Sequence, residues 1–138
     1  MTTNFEYKKS RDATLSMNNN QITENLGQEI TFGTVLNIPK LKLPFDGIKQ
    51  NDLIVNINFS LRDNLTVIRK VVENTNQATA GQKAVSFKLD ANYKLTDHLT
   101  VIFYYDQSLN IPKVQTSYVT GSMKTGMTIR FDLNALKQ

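Results

Sequence analysis

The sequence contains no cysteine. That excludes a fold held by disulfides, a thiolate metal site and a cysteine nucleophile. It contains a single histidine, His98, which lacks the companions that a metal set or a general base requires. No apolar run approaches the roughly 20 residues of a transmembrane helix. This leaves a membrane barrel open, because barrel strands are short and only alternately apolar. The 16 Lys and Arg against 12 Asp and Glu give a net charge of +4. These cations are scattered, so no nucleic-acid partner is expected and a solvated surface is the plainer reading. The first residues, Met1-Thr2-Thr3-Asn4-Phe5-Glu6-Tyr7, do not form a basic segment followed by an apolar core. The expectation is a cytosolic protein, or a piece whose export signal lies upstream.

What the sequence does have is period-two alternation, the signature of strands. Leu53, Val55, Ile57, Phe59 and Leu61 alternate with Asn56, Asn58, Ser60 and Arg62. Val85, Phe87, Leu89, Ala91, Tyr93 and Leu95 alternate with Ser86, Lys88, Asp90, Asn92 and Lys94. Leu99, Val101, Phe103 and Tyr105 alternate with Thr100, Ile102, Tyr104 and Asp106. Met123, Thr125, Met127, Ile129, Phe131 and Leu133 alternate with Lys124, Thr128, Arg130 and Asp132. Ile30, Phe32, Thr34, Leu36 and Ile38 alternate with Glu29, Thr31, Gly33 and Asn37. A weaker strand is expected over about residues 4–18, with Ala13, Leu15 and Met17 as its apolar end. The predicted fold is all-β, with about six antiparallel strands in one unit spanning 1–138.

Five of the six stretches run to about ten residues or more, enough to cross a bilayer at the usual tilt. Strands of ordinary globular sheets average five or six. From the second stretch to the last, the apolar side carries no charge. The other side carries Glu29, Arg62, Lys88, Asp90, Lys94, Asp106, Lys124, Arg130 and Asp132. A Lys or Arg facing lipid near the midplane costs about 2–4 kcal/mol, whereas a wet lumen accepts either sign. A soluble sandwich would also place its charges on one side, so alternation alone leaves both architectures open. In the first stretch, Lys9 and Arg11 share a face with Leu15 and Met17. Either a bulge switches the faces or part of this strand lies outside the membrane.

Bacterial barrels alternate short periplasmic turns with longer outer loops. Thr96-Asp97-His98 reads as a short turn, and residues 63–82 and 108–120 read as long links. The stretch near 19–27 is polar and Asn-rich. The stretch 39–51 is long for a periplasmic turn, and Pro39 and Pro44 exclude it from a central ladder.

No chemistry emerges from the motifs, so no enzyme and no cofactor is expected. Gly121-Ser122-Met123-Lys124-Thr125-Gly126-Met127-Thr128 has phosphate-loop glycine spacing, but Met127 stands where the essential Lys belongs. Asp90 and Asp106 read as ion-pair partners for Lys88 and Lys94 rather than as an acid–base pair. His98 reads as a solvated or interfacial turn residue. Asn58-Phe59-Ser60 and Asn64-Leu65-Thr66 match a glycosylation pattern common by chance. Tyr93 and Phe131 fit an aromatic girdle at one membrane edge, and equally the ordinary strand preference of aromatics.

Six strands fall short of the eight at which single-chain bacterial barrels begin, and an open sheet in lipid leaves two unpaired edges. The segments Phe59-Ser60-Leu61-Arg62-Asp63-Asn64-Leu65-Thr66-Val67-Ile68-Arg69-Lys70 and Ala78-Thr79-Ala80-Gly81-Gln82-Lys83 resemble the SprA/Sov family. This family is the outer-membrane translocon of the type IX secretion system of Bacteroidetes. Tyr104-Tyr105-Asp106-Gln107, Pro112, Thr116-Ser117-Tyr118 and Ile129-Arg130-Phe131 resemble its closing strands in order. Phe5-Glu6-Tyr7-Lys8-Lys9-Ser10-Arg11 resembles an earlier piece of the same region. The stretch from Pro39 to Gly47 and the tail from Asn134 to Gln138 depart from the pattern.

The resemblance implies a C-terminal segment of a very large outer-membrane β-barrel, which passes folded cargo to the cell surface and serves gliding in motile species. It implies as partners the rest of the barrel chain, outer-membrane lipid, a smaller barrel shuttle protein, a periplasmic plug and secreted cargo. The expected lipid-facing residues are Ile30, Phe32, Leu36, Leu53, Val55, Ile57, Phe59, Leu61, Val85, Phe87, Leu89, Tyr93, Val101, Phe103, Tyr105, Met127, Ile129 and Phe131. The expected lumen-facing residues are Asn56, Asn58, Arg62, Lys88, Asp90, Lys94, Asp106, Lys124, Arg130 and Asp132. The alternatives are a soluble extracellular β-sandwich binding module and a small self-standing outer-membrane barrel.

Overall fold

The computed structural model describes residues 1–41, 51–96, 98–114 and 118–132, without the side chains of Lys40 and Asn51. Six strands form one antiparallel sheet in chain order: β1 (Thr2–Ser16), β2 (Gln21–Leu41), β3 (Asn51–Lys70), β4 (Thr75–Lys94), β5 (Leu99–Pro112) and β6 (Thr120–Phe131). Each strand pairs with its neighbour in sequence, and β1 and β6 are the edges. No helix occurs among the described residues.

The alternation explains why the strands pair in this register. Directly opposed residues share a face, so apolar positions mostly meet apolar positions, with Thr34, Gln107 and Thr125 as polar members of the same rows. One row reads Phe5, Phe32, Phe59, Phe87, Gln107, Met123, and another reads Ile38, Leu53, Tyr93, Val101, Ile129. A slip of one residue in any pair would turn one strand's apolar set to the opposite side.

The strands are longer than the alternation indicates. β2, β3 and β4 run to 21, 20 and 20 residues. Residues 21–27 and 63–70, and 75–82 beyond them, are paired strand rather than the links expected there. The true connections are four-residue turns at 17–20 and 71–74. Polar composition marks these stretches as loops, but backbone pairing continues through polar residues where both strands stay extended. Pro39 also lies within β2 rather than in a link. It falls in the register shift between Ile38 and Leu41, and β1 pairs with β2 only as far as Val35. Its missing N–H therefore breaks no ladder bond. Pro44, Phe45, Gly47, Asp97, Thr116, Ser117, Leu133 and the tail from Asn134 to Gln138 lie outside the described residues.

The described residues form no two-layer core. Tyr93 is the only buried apolar residue among those described. The accessible surface is 10486 Å², whereas a compact monomer of this mass exposes about 7,300 Å². Among the described residues the sheet is a single layer, and no other element covers either face.

The turns at 17–20 and 71–74 lie side by side, and Val71 N–H donates to Asn20 O at 3.1 Å. Each turn ends on an asparagine with positive φ, 49° at Asn20 and 47° at Asn74. Asparagine tolerates this left-handed conformation because its short amide bonds locally, and a β-branched residue does not. Asn74→Val is expected to cost about 1–2 kcal/mol in urea unfolding, with Asn74→Gly close to neutral.

Candidate functional site

The functional features of this sheet are its two faces. On one face the rows from Ile38–Leu53–Tyr93 up to Tyr7–Ile30–Leu61–Val85–Leu109 form an apolar band free of charged side chains. All eighteen residues expected to face lipid share this face. The band also takes in residues outside that set: Phe5 and Tyr7 on β1, Leu109 on β5 and Met123 on β6. Phe5 and Tyr7 escape a period-two reading because Ala13, Leu15 and Met17 draw attention to the wrong end of β1. Six strands at about 4.8 Å and nine residues at about 3.3 Å give a footprint of roughly 850 Å². Soluble monomers rarely expose an apolar patch beyond about 300–600 Å². Met127, Ile129 and Phe131 are 65%, 61% and 56% exposed.

The residues expected to face the lumen occupy the opposite face. Asn56 and Asn58 oppose Asp90 and Lys88, Lys88 opposes Asp106, and Asp106 opposes Lys124. Arg62, Lys94 and Arg130 lie on the same side, and Asp132 follows β6. Arg62 bridges to Glu29 at 3.0 Å and Lys88 approaches Asp106 at 3.8 Å. These exposed pairs hold charge in place more than they stabilise the fold. Asp90 sits opposite Tyr104, out of register with Asp106, so the two carboxylates are not brought together across one row. Gly126 also lies on this face, opposite Tyr104. A Cβ there would come within 2.6 Å of the Tyr104 Cζ, so the glycine makes room for the ring.

Beyond the band, charged residues join apolar ones such as Leu26, Leu65 and Val67 on the same face. Lys9, Asp63 and Lys83 occupy the next row, with Arg11, Glu24 and Arg69 above it. No bulge interrupts β1 against β2. Lys9 and Arg11 thus share a face with the band but lie past its end, which answers the question their spacing raised. Arg11 and Arg69 clamp Glu24, which is 3% exposed; Arg69 Nη2 stands 2.6 Å from Glu24 Oε2. Lys113, past the end of β5, pairs with Asp63. Residues from three strands meet at Glu24, a cluster the sequence could have revealed only through the strand register.

His98 is half-buried, and its Nδ1 is covered without a hydrogen-bond partner among the described residues. It lies within the turn in which Leu95 and Thr96 N–H groups both donate to Leu99 O, and its own carbonyl accepts from Asp132 N–H at 2.8 Å. No group of three metal-ligating side chains occurs among the described residues. A recess of about 630 Å³ opens beside Thr79, where β4 carries an extra residue against β3, lined by Asn64, Thr66, Gln82 and Asn110. It is an open concavity, and the described residues that line it include no carboxylate, histidine or lysine. The sequence matches no protein-family model and no curated protein.

Burial opposes ionisation of Glu24, but the hydrogen bonds and charges of Arg11 and Arg69 outweigh it and hold the carboxyl below its usual 4.5. The clamp is therefore complete above pH 4.5, and its contribution to stability is lost as pH falls through the depressed folded value. In a carboxyl carbon NMR titration, Glu24 should titrate below 4.5. With Arg11→Gln and Arg69→Gln together it should titrate above 4.5, because burial is then unopposed.

Proposed function

We propose that this chain is a run of wall strands in a very large outer-membrane barrel, its apolar band against hydrocarbon and its polar face lining a water-filled pore. One observation carries the reading. The six strands form a single layer in which one face bears a mainly apolar band without charged side chains, and at that height the charges lie on the other face.

The dimensions support this. Nine residues of strand span about 30 Å, or about 21–25 Å of height at a tilt of 35–45°, against an apolar band of about 25 Å in outer-membrane barrels. A sandwich would need a second sheet over the band, and the described residues provide one sheet. The edges β1 and β6 carry unpaired backbone groups, each costing several kcal/mol in hydrocarbon. Neighbouring strands from the rest of the barrel must therefore satisfy them. The largest single-chain barrels have about 36 strands, and in one of that size these six make about one sixth of the wall.

The narrower assignment rests on the resemblance of the segments from Phe59 to Lys70 and Ala78 to Lys83, and of the closing strands, to the SprA/Sov translocon. On that reading the wall belongs to the type IX secretion pore in the outer membrane, through which folded cargo reaches the cell surface. The action is passage and gating without bond chemistry. Its partners are the rest of the barrel chain, membrane lipid, a shuttle barrel, a periplasmic plug and cargo.

Single cysteines carrying spin labels test the two faces in the intact protein. Labels at Val55, Phe87 and Ile129 should be reached by oxygen dissolved in lipid, and labels at Asn58, Lys88 and Lys124 by an aqueous nickel chelate. Aqueous access on both faces would refute the reading. Ile57→Lys, at the centre of the band, should destabilise the inserted protein by about 2–4 kcal/mol. Asn58→Lys, one residue on, should change stability by less than about 1 kcal/mol.

A further inference from the structure

We propose that the charged end of the apolar face is a binding belt for the phosphate groups of membrane lipids, an inference that rests on the band meeting hydrocarbon. Five cations gather there: Lys9, Arg11, Arg69, Lys83 and Lys113. Against them stand two carboxylates, Glu24 and Asp63, leaving three positive charges on the belt. The first cations, Lys9 and Lys83, lie one face position past Tyr7 and Val85, the last row before charged residues begin on this face. Two residues of strand place them about 7 Å further along, the depth at which headgroup phosphates meet the hydrocarbon boundary.

The geometry leaves these cations available to an anion. Lys9 and Lys83 are exposed and make no ion pair among the described residues. Arg11 remains 67% exposed although it holds Glu24, and one carboxylate shared by two guanidinium groups leaves donors on both unsatisfied. The opposite face beside the belt carries Lys8, Arg62 and Lys70 against Asp12 and Glu29, a net of one positive charge, among Ser10, Asn25, Asn64, Thr66 and Gln82. Positive charge is thus concentrated on the face continuous with the band. Simple hydration beyond the membrane would not favour one face. Charge complementarity and continuity with the apolar surface point to one occupant, a lipid whose acyl chains lie on the band while its phosphate meets the belt.

The intact protein is placed in nanodiscs of phosphatidylcholine containing a minor share of phosphatidic acid with the same acyl chains. Native mass spectrometry then counts the lipids retained. The wild type should retain phosphatidic acid in preference. Lys9→Gln combined with Lys83→Gln, which breaks no ion pair, should lower that preference about ten- to thirtyfold, since each interfacial cation is worth about fivefold. Lys88→Gln with Lys124→Gln, on the other face, should leave it unchanged. Equal retention by wild type and the belt variant, or equal loss in the opposite-face variant, overturns the proposal. Loss of the preference on adding millimolar inorganic phosphate would make the belt a site for soluble anions and would likewise overturn it. A fluorophore at position 87, read in the same discs with brominated lipid, separates the two levels of inference. Quenching without lipid preference removes the belt alone, and no quenching removes the hydrocarbon reading with it.

Discussion

Backbone pairing in a fixed register is the constraint on which this molecule depends. Each of the six alternations is only a local pattern, and a strand considered alone has no inside or outside. Pairing Leu61 with Ile30 on one side and Val85 on the other makes those patterns a surface. Because the side-chain period is two, parity once set in one strand is inherited by the next. The sheet therefore has two chemically distinct faces without any second layer to define them. With one buried apolar residue among those described, packing within the chain contributes little. The favourable burial that ordinary domains obtain from their own cores must come from what lies against the band.

Much of this was legible in the sequence, and the reason is the same parity. The stretch from Leu53 to Arg62 alternates with few exceptions, so strand type and the division into faces follow directly. What could not be read was strand length. Residues such as Asn64, Thr66 and Gln82 are as acceptable in a loop as in a hydrated strand, and hydrophobic periodicity fades where both faces are wet. The turn at 71–74 contains Val71 and Val72, which look like strand residues. Only Asn74 signals the reversal, as Asn18, Asn19 and Asn20 signal the other. The Glu24 cluster was illegible for a different reason: Arg11, Glu24 and Arg69 lie far apart in sequence and meet only through two successive registers.

The same geometry resolves the conflict in β1. Lys9 and Arg11 can share a face with Phe5 and Tyr7 because position along the strand, as well as parity, determines what a side chain meets. Apolar and charged residues on one face are compatible when they occupy different heights. A two-state description of each residue as inward or outward misses this second coordinate.

The height difference bears on assembly. If the band rests in hydrocarbon with the tall hairpins outside, then Arg11, Glu24, Asp63, Arg69, Lys83 and Lys113 have all been carried across the apolar layer from the side of synthesis. At about 2–4 kcal/mol for each Lys or Arg at the midplane, with less for the acids, unaided transit of these hairpins is prohibitively slow. Entry therefore calls for a catalyst that thins or opens the bilayer locally. Once it withdraws, on that proposed placement, the same polar crown would bar retreat, so the strands would stay inserted by a kinetic latch as well as by equilibrium affinity.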